Sequence, residues 1–288
     1  DVYYEDELIE TARCTEISPV TDGPVFSEFT VSFAVGAASS IRQTIRLRRG
    51  SARLDFITGV DWHEERRLLR VHFPTNIVAA QATYDILFGT IQRPTHRNTA
   101  RDMAMFEVCG HRYADLSQPD AGVALLNDGK FGYQVKGNEL SLTLLASPMV
   151  PDPDADRGNH IFTYAILPHT DDNRNITIRN EAGALNRKPL LWASRTQKQD
   201  ARLPVMLTGN NTTLETLKLA EDGDGWIVRV GETSGAITHA TLKFDKTSRV
   251  NETNAVEKNI HDSERIGSNL SFTLHPFQIR TWRVRPVS

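Results

Sequence analysis

The chain has 288 residues, of which 39% are hydrophobic and 24% charged. That balance excludes a disordered polymer and leaves enough length to bury a real core in one large or two medium domains. A net charge of −3 gives no general electrostatic case for a nucleic-acid or anionic-membrane partner, and no apolar run is long enough to span a bilayer. Cys14 and Cys109 are the only cysteines, so a disulfide framework is excluded and a reducing compartment fits.

The opening DVYYEDELIE is neither a signal peptide nor a start at Met, and it reads as the beginning of a piece cut from a longer protein. A period of two then sets in, as half-buried strands require. Phe29, Val31, Phe33 and Val35 share one strand face, as do Leu54, Phe56, Val60 and Trp62, and then Leu69, Val71 and Phe73. Pro74 ends that last run, because it has no N–H for the ladder. The stretch QRPTHRNTARDMAMFEVCGHRYADLS, Gln92 to Ser117, breaks the pattern by gathering Arg93, His96, Arg97, Asn98, Arg101, Asp102, Glu107, His111 and Arg112. It predicts a loop at Arg93–Asp102 leading into a strand near Met105–Arg112, with ARDMAMFEV also able to form a short turn of helix. LLNDGKFGY, Leu125 to Tyr133, runs from a strand into an Asn127-Asp128-Gly129 turn. Leu140, Leu142 and Leu144, then HIFTYAILP, predict further strands. No segment predicts a long amphipathic helix.

The polar, irregular NRKPLLWASRTQKQDARLP predicts a connection between domains with its boundary near Arg202, giving domains 1–202 and 203–288. Beyond it TLETLKLAE, GWIVRVGE, ATLKF, LSFTLHP and FQIRTWRVR predict a smaller strand-rich unit. EDGDG supplies hairpin punctuation between the first two, since Gly and Asp tolerate the backbone angles of tight turns. Strands with frequent turns and little helix predict an all-β chain built from sandwiches.

The chemistry is less decisive. His96, Cys109 and His111 match no standard zinc spacing, and a structural or hydrogen-bonding role is the simpler reading. HEE at His63–Glu65 lacks the second His of a metalloprotease motif. PDPDADRGNH places Asp152, Asp154 and Asp156 like the start of a calcium loop, but Arg157 stands where its Gly belongs and Thr163 where its Glu belongs. That leaves a polar loop beside a sugar or partner domain, or a solvated turn. Asn175, Asn210, Asn211, Asn251 and Asn269 open N-x-[ST] triplets, which are common by chance. Asp128, Lys130 and Tyr133 at the second turn carry groups suited to sugar hydroxyls and C–H faces. A hydrolytic carboxylate pair is defined by separation in space, roughly 5–5.5 Å for retaining and 6.5–9.5 Å for inverting glycosidases, which sequence does not give. No G-x-S-x-G and no phosphate loop is present.

In order, VDWHEERRLLRVHFP, QATYDILFGTIQRPTHRNTARDMAMFEVCGHRYADLS, GVALLNDGKFGY, LSLTLLASPMVPDPDADRGNHIFTYAILPH and LETLKLAED resemble the C-terminal region of glycoside hydrolase family 38 α-mannosidases, most closely the cytosolic and vacuolar class. The likeness runs from about Val60 to Arg285. It implies a large galactose-mutarotase-like β-sandwich followed by a smaller C-terminal β-sandwich. It also implies retaining hydrolysis of terminal α-mannosides through a covalent mannosyl–aspartate intermediate, with zinc gripping the 2- and 3-hydroxyls. The resemblance implies that the nucleophile and most or all zinc ligands belong to an N-terminal catalytic domain, and no segment here matches those motifs, so no catalytic residue and no metal ligand is carried over. That catalytic domain and a mannoside substrate are the expected partners, and the cytoplasm, or a vacuole in a eukaryote, is the expected location. The blocks around Arg93–Asn98 and Asn127–Tyr133 are the expected cleft loops, with His96, Asn98, Asp128, Lys130 and Tyr133 as candidate sugar contacts. Loops that only hold two domains together are the plainer alternative. A free-standing carbohydrate-binding or mutarotase-like module using His96, His111 and Glu107, and a structural domain that mediates homo-oligomers, are the competing functions.

Overall fold

The structure, a computed structural model, describes residues 8–170, 176–190, 203–261 and 264–287. In chain order the strands of the first part are β1 (Arg13–Ile17), β2 (Thr21–Asp22), β3 (Phe26–Val35), β4 (Ser39–Arg48), β5 (Leu54–Trp62), β6 (Leu68–Pro74), β7 (Gln81–Ile86), β8 (Gly89–Pro94), β9 (Val108–Cys109), β10 (Tyr113–Gln118), β11 (Ala121–Asn127), β12 (Gly132–Lys136), β13 (Glu139–Ala146) and β14 (Gly158–His169). Two helices interrupt the series, α1 (Ala100–Ala104) and α2 (Ile176–Asn186). The second part holds β15 (Val205–Thr208), β16 (Thr212–Leu219), β17 (Trp226–Glu232), β18 (Thr238–Thr253), β19 (Arg265–Leu274) and β20 (Ile279–Pro286). The chain divides into two compact units, Asp1–Ile86 with Ile91–Lys188, and Leu87–Thr90 with Pro189–Ser288. The expected boundary near Arg202 lies outside the described residues.

The first unit is a sandwich. A ten-stranded sheet runs β1-β3-β4-β5-β14-β11-β10-β7-β8, with β2 beside β3, and a four-stranded sheet runs β6-β13-β12-β9. Alternation decides what lies between them. Val35, Val60, Trp62, Tyr84, Leu125, Phe162 and Tyr164 point inward from the large sheet and meet Tyr133, Val135, Leu140, Leu142 and Leu144 from the small one. Each such side chain removed from water is worth about 1.5–3 kcal/mol, and that burial holds the register. One buried polar group sits among them. Gln43 donates from Nε2 to Thr58 at 3.0 Å and to the Tyr164 hydroxyl at 2.7 Å, so its amide is satisfied.

The outer face of the large sheet is covered by α2, which the sequence reading did not predict. Ile178, Ala182 and Leu185 recur at helical spacing and pack on Tyr113, Ala124, Leu126, Ala165 and Leu167. Arg53 fastens the helix, donating to the Glu181 carbonyl and to its carboxylate, each at 2.9 Å, while its Nε pairs with Asp55 at 2.6 Å. The expected strand from Met105 is also corrected. Thr99 and Asp102 form a reciprocal capping box, each accepting the other's backbone N–H at 3.1 Å, which closes α1 over 100–104 and leaves only Val108–Cys109 as strand.

The second unit is the expected smaller β-sandwich. β18 pairs with β15 along its first half, with β20 along its second, and with β19 along both. An irregularity between Lys243 and Ser248 separates the two halves, and such irregularities bend a strand. Val228, Val230, Leu242, Phe244, Phe272 and Trp282 fill the interior. The EDGDG turn joins β16 to β17, with Gly223 at φ +77° and Gly225 at φ +92°, angles that favour glycine.

Candidate functional site

The turn after β11 is set by Asn127. Its side chain is buried, and its Oδ1 accepts the backbone N–H groups of Gly129 at 2.7 Å and Lys130 at 2.6 Å. Its Nδ2 donates to the His111 carbonyl at 2.9 Å and to the Tyr133 hydroxyl. Its carbonyl accepts from Asn186 at the end of α2, at 2.9 Å. Asp128 exchanges two bonds with Thr163 on β14, at 3.0 and 2.9 Å. Three elements therefore hold this turn rigid.

What the turn presents differs in one residue from the expectation. Tyr133 is fully buried in the sandwich core, and its hydroxyl is occupied by Asn127. Burial pushes that hydroxyl far above the ordinary tyrosine range. It therefore offers no donor at the surface of this chain and acts as a strut beneath the turn. Phe131, two residues earlier, is the exposed aromatic at 56%, and the His111 ring meets it edge-on at 6.2 Å. Lys130 lies with its ammonium 4.6 Å from the centre of the Phe162 ring. Its pKa is lowered by burial, against which the Asp156 and Asp128 carboxylates work. An ammonium, a carboxylate and an exposed aromatic ring thus share one rigid turn, the combination that hydroxyls and C–H faces of a sugar require. Asp156 was singled out only as part of the calcium-like run and Phe162 not at all as a site residue, and nothing local ties either to this turn, since each is more than twenty residues from it.

The His96 block forms a second feature. His96 and Asn98 are exposed, and His96 Nδ1 lies 3.8 Å from the Asp102 carboxylate. The hydrogen bond from Thr99 holds the Asp102 carboxyl below its usual range, with smaller help from His96 and Arg101. Arg93 stacks 4.7 Å from the Tyr84 ring centre, and burial pushes the Tyr84 hydroxyl up to about 12. The cleft between His96, Arg93, Asp102 and Gln134 holds about 30 Å³, room for roughly one water molecule rather than a sugar. The structure does not bring the two blocks together. The Asn127 turn joins the start of β12, while Gly137 just past its end donates to the Thr95 carbonyl. At about 3.4 Å per residue those points are roughly 15 Å apart.

The remaining polar residues have structural partners. Glu107 accepts from Arg70 at 2.6 Å and from Thr143 at 2.5 Å. Arg112 grips the buried Asp85 carboxylate through two nitrogens, at 2.8 and 3.0 Å. The His111 ring meets Phe131, while His96 faces the Asp102 carboxylate. Asp152 accepts from the Asp154 N–H and Asp156 from the Ala146 N–H, so the calcium-like run is stitched into a turn. His63 pairs with Asp61 at 2.9 Å, and Cys109 is exposed. Among the described residues no group of three or more His, Cys, Asp or Glu side chains is placed to hold a metal ion. Among the described residues no helix is long and apolar enough to cross a membrane.

Comparison with known proteins defines the class. Residues 1–154 match the glycosyl hydrolases family 38 C-terminal domain, and residues 211–282 match the glycosyl hydrolases family 38 C-terminal beta sandwich domain. The chain belongs to glycosyl hydrolase family 38. It is 40% identical to alpha-mannosidase G of Dictyostelium discoideum over 256 residues, covering 85% of this chain and 23% of that protein. It is 35% identical to alpha-mannosidase 2C1 of Mus musculus over 269 residues, covering 91% and 26%. The chain thus spans about a quarter of the length of these relatives. An alpha-mannosidase structure from Enterococcus faecalis V583 superposes with a TM-score of 0.79 at 17% identity, over 95% of this chain and 35% of that one, a likeness of fold.

Proposed function

We propose that this chain is the β-domain portion of a retaining α-mannosidase that removes terminal α-mannosyl residues. In this reading its partners are the catalytic domain of the same enzyme, which carries nucleophile and zinc, and the mannoside. It stabilises that domain and completes the substrate cleft, with domains 1–202 and 203–288 and a cytoplasmic location. The observation that carries the reading is the rigid Asn127 turn, which displays Asp128, Lys130 and the exposed Phe131 together. His96 and Asn98 would act from the separate Arg93–Asp102 block, and Tyr133 would act only by holding Asn127.

Kinetics of the complete enzyme on an aryl α-mannoside test this. Lys130→Ala and Phe131→Ala should each lower kcat/KM about tenfold, roughly 1.4 kcal/mol of transition-state binding, with unchanged thermal stability. His96→Ala should give a smaller loss. Tyr133→Phe should lower stability by about 1 kcal/mol and leave kcat/KM nearly intact. Unchanged kinetics in Lys130→Ala, Phe131→Ala and His96→Ala together would reduce these loops to interdomain packing.

A further inference from the structure

The interface between α2 and the large sheet contains two buried polar atoms that find no partner among the described residues. Tyr113 on β10 is 0% exposed and Arg179 on α2 is 7% exposed. Tyr113 lies in the apolar cluster formed with Leu126, Leu167 and α2's Ile178. Among the described residues neither Tyr113 Oη nor Arg179 Nη1 has a hydrogen-bond partner, although both atoms are buried. A buried donor without an acceptor is costly, and a buried guanidinium without a counter-charge more so.

The other charges around this interface are already matched. Asp85 is held by Arg112 at 2.8 Å, Asp115 by His169 at 2.8 Å, and Asp55 and Glu181 by Arg53 at 2.6 and 2.9 Å. Arg179 is left as a cation with no carboxylate of its own among the described residues. Burial pushes the Tyr113 hydroxyl up to about 12, and of the charges around it Arg179 acts most strongly, in the opposite sense. Two donors on one interface, one of them cationic, ask for an acceptor carrying a single negative charge. The near-complete burial excludes anything large, and the Asp85 and Asp115 carboxylates weigh against a double charge.

We propose that Arg179 and Tyr113 bind one small monovalent anion of the size of chloride or bromide between α2 and the large sheet, so that the anion pins the helix. The site does not rest on the function proposed above. The test is thermal unfolding of the full-length protein at constant ionic strength, with chloride progressively replacing gluconate, together with diffraction from crystals grown in bromide. The melting temperature should rise saturably with chloride, by roughly 2–4 °C, as ligand linkage requires. Arg179→Leu should abolish the dependence, Arg179→Lys should retain part of it, and Tyr113→Phe should weaken the apparent affinity several-fold. Bromide should give an anomalous peak between Arg179 Nη1 and Tyr113 Oη. Equal melting temperatures in chloride and gluconate would overturn the proposal. So would chloride dependence that survives Arg179→Leu, or a water in place of bromide. If Arg179→Leu does not fold, Tyr113→Phe and the bromide data decide the matter.

Discussion

Glu232 shows how much one residue can organise. It is fully buried at the end of β17, and its carboxylate accepts from Ser234 N at 2.7 Å, Ser234 Oγ at 2.5 Å, Gly235 N at 2.8 Å and Phe277 N at 2.9 Å. Burial resists its ionisation, but these hydrogen bonds outweigh it and its pKa is lowered. A depressed carboxyl contributes stability that is present above the unfolded value, about 4.3, and is lost as pH falls through the folded one. Glu232→Gln should therefore destabilise the second unit by about 2 kcal/mol at pH 7 and flatten its loss of stability below about pH 4.3. Urea titrations at pH 7 and pH 3.5 measure both, and equal slopes with pH for the two proteins would refute the role. Nothing around Glu232 in the sequence announces this, because Phe277 reaches it from forty-five residues away. The same holds at the candidate site. Asn127-Asp128-Gly129 is legible as a turn because its residue types dictate turn geometry. That Tyr133 is buried is settled by which face of β12 meets the other sheet, which a short strand beside a turn does not declare, and Phe131 is exposed because it lies in the turn before β12.

Among the elements, most strands and the short helical turn in ARDMAMFEV were legible, and α2 was not. β3, β5, β6, β13 and β14 follow the period-two runs, and the two Gly-rich signals of EDGDG fall on the β16–β17 turn. α2 carries Asn, Thr and Gly, which are weak helix formers, so its helicity comes from docking rather than propensity. α1 did have a signal, since Thr99 followed three residues later by Asp102 is a capping pattern. The docking of α2 depends on Arg53, whose ion pair with Asp55 is buried, at 4% and 3% side-chain exposure. Arg53→Met removes one partner of that pair and strands the other. It should destabilise the first unit by about 3–5 kcal/mol, measured by urea unfolding. Arg53→Met combined with Asp55→Leu should recover most of that loss. A double variant as unstable as the single one would mean that the Glu181 contacts, not the buried charge, dominate.

At the scale of the whole molecule, two sandwiches of family 38 type offer a rigid polar turn. Among the described residues no group of three or more His, Cys, Asp or Glu side chains is placed to hold a metal ion. Long blocks of sequence carried the family because they hold both the strand pattern and the turn residues. Which polar side chains face outward was not legible, since Glu107, Arg112 and Asp156 are taken up by partners distant in sequence. In the proposed function this chain supports and completes an α-mannosidase site whose nucleophile and zinc lie in another domain. The most direct measurement is hydrolysis of an aryl α-mannoside by the purified 288 residues, with and without added zinc. No turnover above the blank is expected in either condition, and robust, saturable turnover would mean that these residues carry a nucleophile of their own.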